Sequence, residues 1–342
     1  MKPSFRLLSA AAAAAVLCSA PPMALAQKKI VMKLAHADSV DLTTSRKAVL
    51  ADTFAKEIKA KSGGRIEVQL FGGGALGGER EVVEGVKNGF IQGGLASGVM
   101  ANFYPAAMVT DIPYLFPNVD VADKVMDGAF GEQLASGFNA ATGMHNLCFG
   151  EVGFRHFSTG KKAVHSPKDL EGMKIRVQET PLYVTEMKAL GALPTPIAFP
   201  ELYTALQTGV VDGQENPVPT IIFAKLYEVQ KNVTLDAHNY GVDWFVVSDK
   251  FYKSLSPDLL KVVTDAAHVA CAAERKANRA FTAEGNKTLT DKGVTVYTPT
   301  AAEMDQFRAA AQPAVVDFLK TKIDPKLIDA IQVAVKDAGG KK

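Results

Sequence analysis

The chain predicts an α/β fold built around a mainly parallel sheet, on three observations. Short apolar runs of strand length alternate with stretches of helical periodicity. Glycines and prolines punctuate the joins, and 342 residues suffice for two ordinary domains or one large one. Residues 30–35 (IVMKLA) read as a first strand, and 43–61 as a helix with apolar positions at Val49, Leu50, Phe54 and Ile58 and a Gly63-Gly64 stop. Residues 65–71 alternate with period two, placing Ile66, Val68 and Leu70 on one face. A glycine-rich turn, a helix over 79–87 and a short apolar run at 91–96 complete this first part.

The second part repeats the style without repeating sequence. Residues 172–177 (GMKIRV) form a strand, and Thr180-Pro181 opens a helix that stops at Gly191. Pro200 opens another, ending at Gly209, and 210–217 leaves it extended. Ser256-Pro257 starts a helical region reaching about Lys292, long for a globular helix, and 302–319 adds a second before a frayed tail at 339–342.

Composition narrows the function. With 47% hydrophobic and 22% charged residues the chain is neither a disordered nor a disulfide-scaffold sequence. Residues 1–26 read as a cleaved export signal: Lys2 and Arg6, an Ala-rich apolar run, and an A-x-A site at Ala24-Leu25-Ala26. Cys18 follows Val16-Leu17, where a lipid-anchored protein wants a small residue, so lipidation is disfavoured. Losing Lys2 and Arg6 reduces 38 cations to 36, equal to the 36 acids, and this zero balance offers nucleic acid no basic surface. The mature protein is expected to be exported and soluble. Cys148 and Cys271 lie in apolar surroundings, and a bridge and two buried thiols are both open.

Most motifs have plain readings. Gly72 to Gly77 matches G-x-G-x-x-G between a strand and a helix, but no acidic residue ends the next strand to hold a ribose, so it reads as a tight turn. No hydrolase signature occurs, and the six histidines lack metal-ligand spacing, so neither cofactor nor metal is expected. His36 is retained as a candidate because it ends the first strand, where open α/β sheets place ligands. In 174–178 (KIRVQ) the strand period sets Ile175 and Val177 opposite Lys174, Arg176 and Gln178. Arg176 then stands near the carboxyl end of a half-buried strand, where its planar fork suits a carboxylate. Phe199 and Asn216 each precede a proline, at element ends where binding groups gather.

These segments carry a resemblance. Residues 172–177, 192–196 (ALPTP) and 201–217 (ELYTALQTGVVDGQENP), with 54–57 (FAKE), 103–105 (FYP), 113–115 (PYL) and 226–231 (LYEVQK), look like the extracytoplasmic solute-binding subunit of tripartite ATP-independent periplasmic (TRAP) transporters, over essentially the whole mature chain. The resemblance implies a two-lobed periplasmic-binding-protein fold with a hinge and a long lobe-spanning helix. One lobe takes about residues 27–152 and 242–281, the other 153–241 and 282–335. It implies a monomer that captures a small carboxylate solute and hands it to the small and large membrane permease subunits. Arg176 matches the arginine that pairs with the solute carboxylate, and Arg155 a second arginine of the sialic-acid binders. Asn216, Phe199 and Glu79 match an asparagine, an aromatic and an acidic contact.

The departures matter too. Ala96 replaces a glutamate of the sialic-acid binders, Glu179 an asparagine, and the Arg155–Arg176 spacing differs by one residue, which argues against sialic acid. The ligand-binding set is then Arg176, Arg155, Asn216, Phe199, Glu79, His36, Ser97, Glu179 and Asp243. Glu79, Glu179, Gln214 and Asp243 as acceptors of solute hydroxyls favour a hydroxylated acid, such as a uronate or aldonate. The alternatives are a small dicarboxylate or 2-oxo acid, a secreted enzyme using Glu79 or Asp243 as base, and a sensor module.

Overall fold

The computed structural model describes residues 29–339; the leader expected over 1–26 lies outside the described residues. Nine strands form one sheet: β1 Ile30–Ala35, β2 Ile66–Phe71, β3 Gly93–Ala96, β4 His145–Thr159, β5 Lys174–Val177, β6 Leu193–Pro196, β7 Gly213–Asn216, β8 Asn232–Val247 and β9 Thr295–Tyr297. Their order is β2-β1-β3-β8-β4-β7-β5-β6, with β9 beside β8. The helices are α1 Arg46–Lys61, α2 Glu79–Lys87, α3 Val119–Met126, α4 Ala129–Thr142, α5 Pro167–Leu170 and α6 Pro181–Ala189. They continue with α7 Leu202–Gln207, α8 Val218–Phe223, α9 Asp249–Ser254, α10 Pro257–Asp291, α11 Ala301–Lys320 and α12 Pro325–Asp337.

The expected parallel sheet holds only in the wings. β1 pairs in parallel with β2 and β3, and β5 with β6 and β7, as helix crossovers dictate. The centre is antiparallel: β3 with β8, β8 with β4, and β4 with β7. β4 and β8 each serve both wings. The end of β8 pairs with β3 and its start with β9, while the end of β4 pairs with β7. Both strands are buried along most of their length, so they carry no alternating polar signature by which to recognise them.

The helices keep close to their expected bounds. α1 starts at Arg46, three residues later than the periodicity predicts, because Ser45 is extended and accepts a bond from the Ala48 amide. The Pro200 helix is preceded by a 3₁₀ turn, Phe199–Glu201. In the glycine-rich turn Gly73, Gly74 and Gly77 all have positive φ, and a Cβ on Gly74 would come 3.3 Å from Pro200 of the other wing.

α10, 35 residues and about 50 Å long, binds the wings together. Its first half packs Leu259, Val263, Ala266, Ala267 and Ala270 with Leu50, Phe54 and Ile58 of α1. Its far end approaches α8 so closely that a Cβ on Gly285 would sit 2.4 Å from Val218. Between them its polar middle grips a bulge in β4: Glu274 accepts the Glu151 amide (2.9 Å), Asn278 donates to Val152 O (3.2 Å), and Arg279 pairs with Glu151 and Asp123. Cys148 of β4 and Cys271 of α10 form a disulfide, closing the alternative that sequence left open.

Candidate functional site

A cleft of about 450 Å³, counted to its solvent-open mouth, lies between the wings. Asp38, Arg46, Glu79, Ser97 and Val99 line it from the β1–β3 side; Arg155, Arg176, Gln178, Glu179, Phe199, Asn216 and Thr220 line it from the β5–β7 side. The walls touch: Asn102 donates to Glu179 O (2.7 Å), the Ser97 hydroxyl lies 3.1 Å from Gln178 Oε1, and Arg46 reaches Thr220 Oγ1 at 3.3 Å.

Arg176 rises from β5 with Ile175 and Val177 directed into the opposite core, as the strand period requires. Its own face is buried as well, 2% exposed, because the other wing covers it. Nε donates to Ile197 O (2.8 Å), and the two terminal nitrogens have no partner among the described residues. Burial, with Arg155 nearby, pulls this guanidinium down to about 10 against the pull of Glu215 and Glu79. It is an uncompensated buried cation on the wall of a cleft.

Arg155 differs. Its charge is already matched by Glu215, which receives Nε and, at 2.9 Å, Nη2; Nη2 also reaches Glu215 O (2.7 Å) and Asn216 Oδ1 (3.1 Å). The guanidinium lies 5.4 Å over the Tyr183 ring. Burial would raise the Glu215 carboxyl, but Arg155 and His238 override it and hold it down to about 2. His238 is pushed up to about 10 despite its burial, by Asp236 (2.8 Å) and Glu215. Behind this chain, burial raises Glu186 to about 8 and Asp111 to about 7.

The opposite wall is built on α1. Arg46 pairs with Asp243 (2.7 Å) and Asp38 (3.2 Å), and Lys47, with no exposed side-chain surface, pairs with Glu79, Asp243 (3.2 Å) and Asp38 (3.5 Å). Burial would lower both cations, but the surrounding carboxylates raise them. Glu79 opens α2 and accepts from the Ser97 amide (2.9 Å) and hydroxyl (3.0 Å).

Of the sequence-derived candidates, Arg176, Arg155, Asn216, Phe199, Glu79, Ser97 and Glu179 meet on the cleft. His36 and Asp243 do not line it. His36 packs against Gly72 and is lowered to about 4 by burial. Asp243 spends its oxygens on Arg46 and Lys47. Gln214 likewise donates to Ser158 Oγ (2.6 Å) and accepts from Asn216. Sequence reasoning missed Asp38, Arg46, Lys47, Glu215 and His238. A signal existed for the α1 pair: Arg46 precedes Leu50, Phe54 and Ile58 in an i+4 series, the buried face of the helix.

The chain matches DctP, bacterial extracellular solute-binding protein family 7, over residues 37–322. It belongs to that family. A solute-binding protein of Verminephrobacter eiseniae is 39% identical over 277 residues, 81% of this chain and 82% of its own length. The sugar-acid-binding protein DctPAm of Advenella mimigardefordensis, solved with galactonate, superposes with a TM-score of 0.87 at 33% identity, covering 91% of this chain and 99% of that one. A TRAP periplasmic solute-binding protein of Polaromonas sp. JS666, bound to D-erythronate, gives 0.84 at 37%, covering 89% and 98%. The chain is thus a two-lobed periplasmic solute-binding protein of the TRAP class, a transport component and not an enzyme. Among the described residues no helix is long and apolar enough to cross a membrane, and no group of three or more His, Cys, Asp or Glu is placed to hold a metal.

Proposed function

We propose that the protein captures a hydroxylated organic-acid anion of the aldonate or uronate type through Arg176 and delivers it to the small and large TRAP permease subunits. One observation carries this reading: a buried guanidinium with two unpartnered terminal nitrogens faces a closed cleft, and a planar carboxylate satisfies both at once. Exclusion of water strengthens the bond. Arg155, already neutralised, contributes N–H donors and orientation instead of net charge. Phe199 offers an apolar face, while Asn216, Ser97, Glu79 and Glu179 offer polar groups toward hydroxyls. The galactonate and D-erythronate held by the two solved relatives are acids of this kind.

The division into residues 27–152 with 242–281 and 153–241 with 282–335 is supported by the β4 bulge between Glu151 and Gly153, opposite Gly241. Rotation there separates the walls, and a solute touching both favours the closed form. A thermal-shift screen against organic and sugar acids tests the reading, since ligand at 100 Kd adds about 2.7 kcal/mol. Stabilisation by hydroxy acids that disappears in Arg176→Ala supports it; a strong shift that survives this substitution refutes it.

A further inference from the structure

We propose that the cleft selects polyhydroxy acids with a single carboxylate and rejects those with a carboxylate at both ends, with Asp38 and Glu79 as the residues that reject the second charge. This deepens, and rests on, the carboxylate reading of Arg176. All but one of the cations around the cleft already have carboxylate partners. Arg155 has Glu215, Arg46 has Asp243 and Asp38, and Lys47 has Glu79 together with the same two aspartates. Arg176 alone among the cleft-lining cations of the described residues has no carboxylate partner. Arg176 is therefore the cleft-lining cation left for a solute carboxylate, while Glu179, a lining carboxylate outside these ion pairs, adds to the negative side of the cleft.

The wall across from it has the opposite character. Two cations, Arg46 and Lys47, face three carboxylates there, Asp38, Glu79 and Asp243, so the cluster is one negative charge in excess. Burial and the neighbouring Asp243 raise the Glu274 carboxyl, and as an acid it cannot lessen the excess. Glu79 receives all its bonds from donors, the Lys47 ammonium and the Ser97 amide and hydroxyl, so only lone pairs remain toward the cleft. Such a wall accepts hydrogen bonds from hydroxyls. A second carboxylate arriving there is an acceptor against acceptors and a like charge in a site too buried for water to screen it. Neither cation of the wall rescues it: Lys47 is wholly buried and does not line the cleft, and Arg46, which does, is already committed to Asp243, Asp38 and Thr220.

The test compares acids matched in carbon number: D-galactonate against galactarate, and D-erythronate against tartrate, by calorimetry on the mature protein. The monoacid is expected to bind at least about 100-fold more tightly than its diacid in each pair. Glu79→Gln keeps the side chain's shape while removing its charge, and is expected to narrow that ratio to below about tenfold, tightening the diacid and weakening the monoacid. A diacid that binds the wild type within about threefold of its monoacid overturns the proposal, as does an unchanged ratio in Glu79→Gln. The wild-type comparison needs no variant to fold. Failure of the underlying reading looks different: Arg176→Ala would then bind the monoacids as tightly as wild type.

Discussion

Arg176 and Arg155 show how two buried guanidinium groups of one cleft differ in what they do. Arg155 is neutral with Glu215, whereas Arg176 carries its desolvation cost with no carboxylate paired to it among the described residues. Arg176→Ala is therefore expected to weaken solute binding at least about 100-fold while leaving the ligand-free protein as stable as wild type or more so. Arg176→Lys restores only part of the affinity, because an ammonium lacks the fork. Calorimetry and ligand-free thermal melts check both halves. A second expectation concerns pH. His36 and His156, lowered to about 4 by burial, act the opposite way below about pH 6.5, but Glu186, Asp111 and His238 have folded values of about 8, 7 and 10, each above its ordinary one, and so hold their protons more tightly in the folded state. Their stabilisation is complete near pH 4 and is lost as pH rises toward 10. Above the range of those two histidines, denaturant midpoints should fall between pH 7 and 9, and Glu186→Gln should flatten the decline near pH 8. A midpoint that rises over this range contradicts the assignment.

At the scale of elements, α1 joins packing to the site. Its Leu50, Phe54 and Ile58 stripe was readable from periodicity, and the same stripe extended one turn back places Arg46 on the buried face. Two cations at a helix start oppose the helix dipole, and no acid occupies that first turn. Their stabilisation comes from Asp38, Glu79 and Asp243, which lie on three other segments. Lys47→Met strands these carboxylates and is expected to cost about 3–5 kcal/mol in chemical denaturation, more than a surface lysine allows. Strand pairing was less legible. β5, β7 and α2 emerged close to their expected bounds, whereas β4 and β8 pair residues as much as 102 apart, such as His145 with Val247, and show no alternation. Local pattern cannot report such a partner.

For the whole molecule, α10, the β4–β8 pair and the Cys148–Cys271 bridge connect the two walls of the cleft. The bridge closes a loop of 123 residues and ties α10 to β4 beside the bulge. Replacing both cysteines by alanine is expected to cost about 2–5 kcal/mol of global stability. Solute affinity should change little, because neither residue lines the cleft. Equilibrium unfolding with and without reductant, alongside solute titration, separates the two effects.

The sequence by itself determined the alternation of strands and helices, the long helix after Ser256, the family resemblance and the strand face on which Arg176 stands. Each is local, set by side-chain periodicity, capping residues or a contiguous motif. Only the tertiary structure decided that Arg155 is neutralised, that His36 and Asp243 stay off the cleft, and that Arg46 and Lys47 build its far wall. Those are facts of charge compensation in a buried space. The carboxylate that cancels a cation stands 60 or nearly 200 positions away, as Glu215 does from Arg155 and Asp243 from Arg46, and only the folded chain brings them within bonding distance.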